Sequence, residues 1–165
     1  MSQNEIVKAL ELEVGTPLGL LNESHLIDIL RDSIFPDLKK SVDFARWDCT
    51  FNRGEISIEL KCRRKHYSEL RLEETKYRQQ VQFSRHFYCC STPSGIFIWD
   101  LDEIDPHFEM KPNQLTSELK GKSKEIVLKS CVDLPIRPKN DITKIILEKL
   151  TGIKILPPVK TQPIF

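Results

Sequence analysis

The feature that most constrains this chain is the run EISIELKCR, Glu55 to Arg63, which follows NRG, Asn52 to Gly54. Apolar and polar residues alternate strictly: Ile56, Ile58, Leu60 and Cys62 occupy one set of positions, and Glu55, Ser57, Glu59, Lys61 and Arg63 the other. A period of two marks a strand, because successive side chains point to opposite faces. NRG reads as a turn, and SVDFARWDCTFN before it as the partner strand of a hairpin. Ile56, Ile58, Leu60 and Cys62 form the core side. Glu59 and Lys61 project together on the other side, one strand repeat apart.

The remaining segments surround this hairpin. NESHLIDILRDSIF predicts a helix, capped by Asn22 or Ser24, with Leu26, Ile29, Leu30 and Ile34 at helical spacing and Pro36 ending it. SELRLEETKYRQQVQFSR is rich in helix formers and lacks Gly and Pro, which predicts a second helix. HFYCCS and GIFIWDL are strands joined through TPSG, and DPHFEMKPNQLTSELKGKS reads as loop-rich. KEIVLKSCVDL is a last strand, and Asn140 or Asp141 caps a final helix, ITKIILEKL. The expectation is an α+β fold with a central mixed β-sheet flanked by helices. It forms a single domain over 1–165, with a core over about 22–150 and an extended tail over 151–165.

Composition narrows the class. At 165 residues, 39% hydrophobic and 30% charged, the chain suits a soluble globular domain. No apolar run approaches the roughly 18–20 residues that cross a bilayer, so no membrane partner is expected. The first residues, MSQNEIVKALELEVG, carry acids where a signal peptide would be basic and then apolar. Five unevenly spaced cysteines without a C-x-x-C pair argue against a disulfide framework and for a reducing cytoplasm, the host cell's if the chain is viral. The histidines show no metal-ligand spacing, so no zinc site is expected.

Charge is unevenly distributed. Residues 1–60 hold 6 basic and 11 acidic side chains, and residues 61–85 hold 8 basic and 3 acidic. An acidic cluster followed by a basic one suits a metal ion beside a polyanion. Across the hairpin Asp48 falls near-opposite Glu59, within the reach of one ion. Both offer hard oxygen ligands for Mg²⁺ or Mn²⁺, and the backbone carbonyl of Leu60 could add another. Lys61 beside the ion suits the charge that develops at a reacting phosphate. The acid-x-Lys spacing alone is common, recurring at Asp37-x-Lys39, Glu74-x-Lys76 and Glu118-x-Lys120. What sets Glu59-x-Lys61 apart is an alternating strand with an acid-bearing strand before it. Asp43 and Asp37 are the alternatives to Asp48, although Asp43 points the other way in a regular strand.

Asp48 and IELK (Ile58 to Lys61), preceded by a helix and followed by a helix and strands, resemble the PD-(D/E)XK nuclease superfamily. The resemblance covers about residues 22–101. A longer pattern, ELKCRRKHYSELRLEETKY, is similar to small phage- and plasmid-type proteins of this fold, through Glu59, Lys61, Arg63, Tyr67, Leu72, Glu73, Lys76 and Tyr77. Trp47 stands where the superfamily name has Pro, while Pro36-Asp37 supplies the literal dipeptide. The resemblance implies a restriction-endonuclease-like core and hydrolysis of phosphodiester bonds in nucleic acid, DNA ahead of RNA. It implies Asp48, Glu59 and Lys61 as catalytic residues, and Glu23, on the helix before the strands, as a further metal ligand.

Around that centre, Arg63, Arg64 and Lys65 are placed to hold flanking phosphates, and Tyr67 to stack on a base. Lys76 and Gln80, four apart on the predicted second helix, can reach toward the site. Arg71, Arg78 and Arg85 form a basic stripe along that helix, either a solvated face or, with Arg78 foremost, a phosphate contact. The alternative function is a catalytically inert nucleic-acid-binding or scaffold protein of a phage or mobile-element assembly, with a homodimer also open.

Overall fold

The computed structural model describes residues 1–42, 45, 47–78, 85–104, 108–114 and 126–156. Helix α1 (Gln3–Val14) opens the chain. The Ser2 hydroxyl accepts from the Glu5 N–H at its start, and Gly15 closes it with φ 76°, a left-handed conformation that suits a residue without Cβ. Ile6, Val7 and Leu10 form its buried stripe. Helix α2 (Glu23–Ser33) starts at Asn22, whose side chain caps the His25 N–H. It buries Leu26, Ile27, Ile29 and Leu30.

The strands are β1 (Lys39–Lys40), β2 (Cys49–Phe51), β3 (Ile56–Cys62), β4 (Glu69–Glu73), β5 (Arg85–Thr92), β6 (Gly95–Asp100), β7 (Phe108–Gln114) and β8 (Ile126–Pro135). Helices α3 (Glu74–Arg78) and α4 (Thr143–Thr151) complete the elements used below. Five strands form one sheet in the order β1-β2-β3-β5-β6, and β4-β8-β7 form a second. In the first sheet β3 and β5 run parallel while the other pairs are antiparallel, so the sheet is mixed. The fold is thus α+β, with a mixed five-stranded central sheet.

Two cores cover the two faces of that sheet. Ile58 and Leu60 of β3, Cys89 of β5 and Ile96 of β6 pack with Leu10 of α1, Leu26 and Leu30 of α2, and Ile146 of α4. On the opposite face Tyr88 and Cys90 of β5 and Phe97 and Trp99 of β6 pack with Leu70, Leu72, Val132 and Leu134 of the second sheet. Burying apolar area from both sides is the main source of stability in such a layered domain.

Three expectations need correction. The long helix predicted from Ser68 begins instead as strand β4, and helix follows only over Glu74–Arg78. Leu70 and Leu72 alternate with charged neighbours and are 1% and 4% exposed, facing Leu134 and Val132 of β8. That non-local burial overrides the helix propensity of the segment. The basic stripe therefore does not form: Arg71 lies on β4, Arg78 on α3 and Arg85 on β5. Second, Phe108–Gln114, expected within a loop, is an edge strand, where Pro112 is tolerated because the outer side of an edge needs no ladder donor. Third, the strand expected over Ser41–Asn52 shortens to Cys49–Phe51, with Lys39–Lys40 pairing onto it. The tail from residue 157 lies outside the described residues.

Candidate functional site

The hairpin register positions the acids. Cys49 faces Ile58 and Phe51 faces Ile56, so one further step along the same register sets Asp48 across from Glu59. Strand β2 begins at Cys49, which leaves Asp48 beyond the ladder. Its carboxylate turns onto β3 and accepts the Leu60 N–H at 2.7 Å. In a strand the N–H and C=O of one residue leave on the same edge, so the Leu60 carbonyl departs on the Asp48 side.

Glu59 is 8% exposed. Its Oε1 receives the Lys76 ammonium of α3 at 3.0 Å, while Oε2 is buried without a hydrogen-bond partner. Burial pushes the Glu59 carboxyl well above the usual carboxylate range, and the neighbouring Asp48, whose charge repels it and which can hydrogen-bond it only once one of the two acids is protonated, pushes it further, against the opposing pull of Lys76. Glu23, in the first turn of α2, is also raised, by burial and then by Asp48, with Lys40 and Lys76 opposing. Lys76 keeps its proton more firmly than an ordinary lysine: burial disfavours its charge, but the bond to Glu59 and the neighbouring Glu59, Asp48 and Glu73 outweigh that. Asp48 is therefore the hub of three carboxyl groups from α2, the approach to β2, and β3.

Lys61 follows Glu59 on the same face of β3 and is exposed. Arg64, Lys65 and Tyr67 are exposed in the segment after β3. Arg63 differs from the free phosphate contact that its position in the basic cluster suggests. It is half-buried, donates to the Arg71 carbonyl at 3.4 Å, and lies over the Tyr67 ring at 5.5 Å from the centroid. The residue that follows an alternating strand meets β4 here, and its guanidinium braces the two strands. Arg78 pairs with Glu74 at 2.7 Å and Arg71 with Asp133 at 3.5 Å. Asp37 accepts the Asn52 N–H at 2.9 Å, which commits it to the hairpin turn. Asp43 and Gln80 lie outside the described residues.

One residue at the site was not anticipated. Lys40 of β1 pairs in register with Cys49 and bears electrostatically on Glu23. The sequence signal is the basic pair in DLKKS, just after the Pro36 that ends the predicted helix.

Among the described residues no three His, Cys, Asp or Glu side chains form a ready-made metal-binding group. The chemistry of the site nevertheless fits a hard divalent cation. The Asp48 carboxylate bears on those of Glu59 and Glu23, and Glu59 Oε2 is buried with no donor to satisfy it. Comparison of the chain with family models, curated proteins and solved structures yields no match. Among the described residues no helix is long and apolar enough to cross a membrane.

Proposed function

We propose that the chain is a metal-dependent nuclease with a restriction-endonuclease-like core, hydrolysing phosphodiester bonds of nucleic acid, DNA ahead of RNA. The observation that carries this reading is the buried Glu59 carboxylate facing Asp48 across the hairpin, with Lys61 next on the same face. Two acids held against each other in a site of restricted water access cost stability unless a cation compensates them. Asp48, Glu59 and the Leu60 carbonyl would hold Mg²⁺ or Mn²⁺, with Glu23 alongside, and the ion when bound supplies a Lewis acid and an acidified water.

The chain's own residues do the rest. Asp48, tied to the Leu60 N–H, is fixed in orientation rather than free to rotate. Glu59 is held by its strand between two packed layers, so the ligand oxygens are preorganised. Lys61 places a positive charge where negative charge develops on the phosphate. Arg64 and Lys65 extend that positive charge along the backbone of the bound strand. Five free cysteines fit a reducing cytoplasm as the working compartment.

The test incubates the protein with supercoiled plasmid, linear duplex, single-stranded DNA and RNA, in Mn²⁺ and in a chelator. Cleavage that needs the ion, disappears in Asp48→Asn and falls about a hundredfold in Lys61→Ala is the expected result. Salt-dependent binding of intact substrate, indifferent to the ion, would instead assign the chain to the inert binders.

A further inference from the structure

Lys76 sits where the proposed ion would act. Its ammonium is 3.0 Å from Glu59 Oε1, and Asp48 and Glu73 also bear on it. It is therefore the resident counter-cation of the acid pair. A divalent ion on Asp48 and Glu59 and an ammonium on the same Glu59 would repel each other at short range. The lysine has somewhere to go: its side chain is 41% exposed, whereas that of Glu59 is only 11% exposed. Its flexible four-carbon stem allows the ammonium to swing outward while α3 stays in place.

Resting on the nuclease reading, we propose that Lys76 and the divalent ion exchange at Glu59, and that the released ammonium turns to the phosphate backbone of the incoming nucleic acid. The site is then neutralised by its own lysine when empty and by the ion when loaded. Ion binding and nucleic-acid binding become linked, because each favours the state with Lys76 released, and such linkage is reciprocal. In this scheme Lys76 is a positioning residue, distinct from Lys61, which remains beside the reacting phosphate throughout.

Two readouts test it without measuring cleavage. The first is Mn²⁺ binding, followed by the spin-resonance signal of the free ion, for wild type, Lys76→Met and Asp48→Asn. Removing the competing ammonium should tighten Mn²⁺ binding by about 5- to 150-fold, the usual span of coupling between two sites, and Asp48→Asn should abolish it. The second uses wild type alone, so it stands even where Lys76→Met fails to fold. Acylation of Lys76 by acetic anhydride, read by peptide mass spectrometry, should accelerate in saturating Mg²⁺, while that of exposed Lys8 on α1 should not. Mn²⁺ binding that is equal or weaker in Lys76→Met, or Lys76 acylation unchanged by Mg²⁺, overturns the exchange; if Asp48→Asn has lost the ion, the cation site itself still stands. Absence of Mn²⁺ binding in both wild type and Lys76→Met overturns the exchange and the nuclease reading together.

Discussion

Strand β3 has two covered faces built from opposite chemistry. Toward α1, α2 and α4 it presents Ile58, fully buried, and Leu60, 5% exposed, within a continuous apolar cluster. Toward the second sheet it presents Ser57 and Glu59, 0% and 8% exposed, beside the apolar cluster formed by β4, β5, β6 and β8. Alternation in sequence usually separates a wet face from a dry one, but here the second face is also buried at Ser57 and Glu59 and becomes exposed only at Lys61. The first face lowers the free energy of the fold, and the second raises it locally by holding a carboxylate out of water. A residue kept at such a cost, with one oxygen unpartnered, is better explained by what it can bind than by what it stabilises.

The comparison can be broken most forcefully on the apolar face. Ile58→Ala removes buried methyl groups from a fully packed position, and a loss of about 2–5 kcal/mol is expected in urea unfolding. A loss below about 1 kcal/mol would mean that the helix layer does not depend on β3.

A smaller effect of opposite sign is expected from Glu59→Gln. The Glu59 carboxyl is raised to about 7, burial first and Asp48 second. A raised acid binds its proton more tightly folded than unfolded, so stability is complete below the ordinary carboxylate range and declines as pH climbs through about 7. Relative to wild type, Glu59→Gln should gain stability over that window, on the order of 1–3 kcal/mol. A pH-independent difference between the two proteins would show that Glu59 is not held at a cost. Saturating Mn²⁺ should reduce the gain by stabilising the wild type alone.

The smallest effect concerns the positive charges beyond β3. Changing Arg64 and Lys65 together to Ala should flatten the salt dependence of nucleic-acid affinity by about two units of log K per log salt, at about 0.9 per contact. Thermal stability should hardly change. Arg63→Ala should reverse that pattern, lowering the melting temperature through the lost contacts to Arg71 and Tyr67. Equal salt slopes for wild type and the double variant would return Arg64 and Lys65 to an ordinary solvated surface.

Much of this arrangement was legible where local pattern and burial agree. The Asn22 cap, the period-two alternation of β3 and the turn at Asn52–Gly54 each act over a few residues, and together they gave α2, the hairpin and the Asp48–Glu59 opposition. Leu70 and Leu72 carried an equally plain alternation, but it lay within a run of helix formers, and only β8, some sixty residues further along, decides between the two. The helix from Gln3 passed unread although Ile6, Val7 and Leu10 lie at helical spacing between Ser2 and Gly15. Lys76 was expected to reach toward the site, although from a long helix rather than from the short α3 after β4. Other contacts made by distant segments were not legible: Lys40 bearing on Glu23 and Arg63 bracing β4 depend on chain paths that no local window encodes.

The turn of the hairpin has a consequence for how this chain can vary. Asn52, Arg53 and Gly54 take φ values of 55°, 57° and 82° in succession, and the Asn52 N–H is fastened to Asp37. An exposed loop of this kind would ordinarily be the easiest place to lengthen a protein. Here one added residue that shifted the pairing would bring Cys49 or Trp47 to the position of Asp48 opposite Glu59 and turn each partner to the other face. An insertion absorbed by such a slip, rather than within the turn itself, would keep the fold but dismantle the acid pair, so the tip of this hairpin is a poor place for a tag, a linker or a permuted terminus.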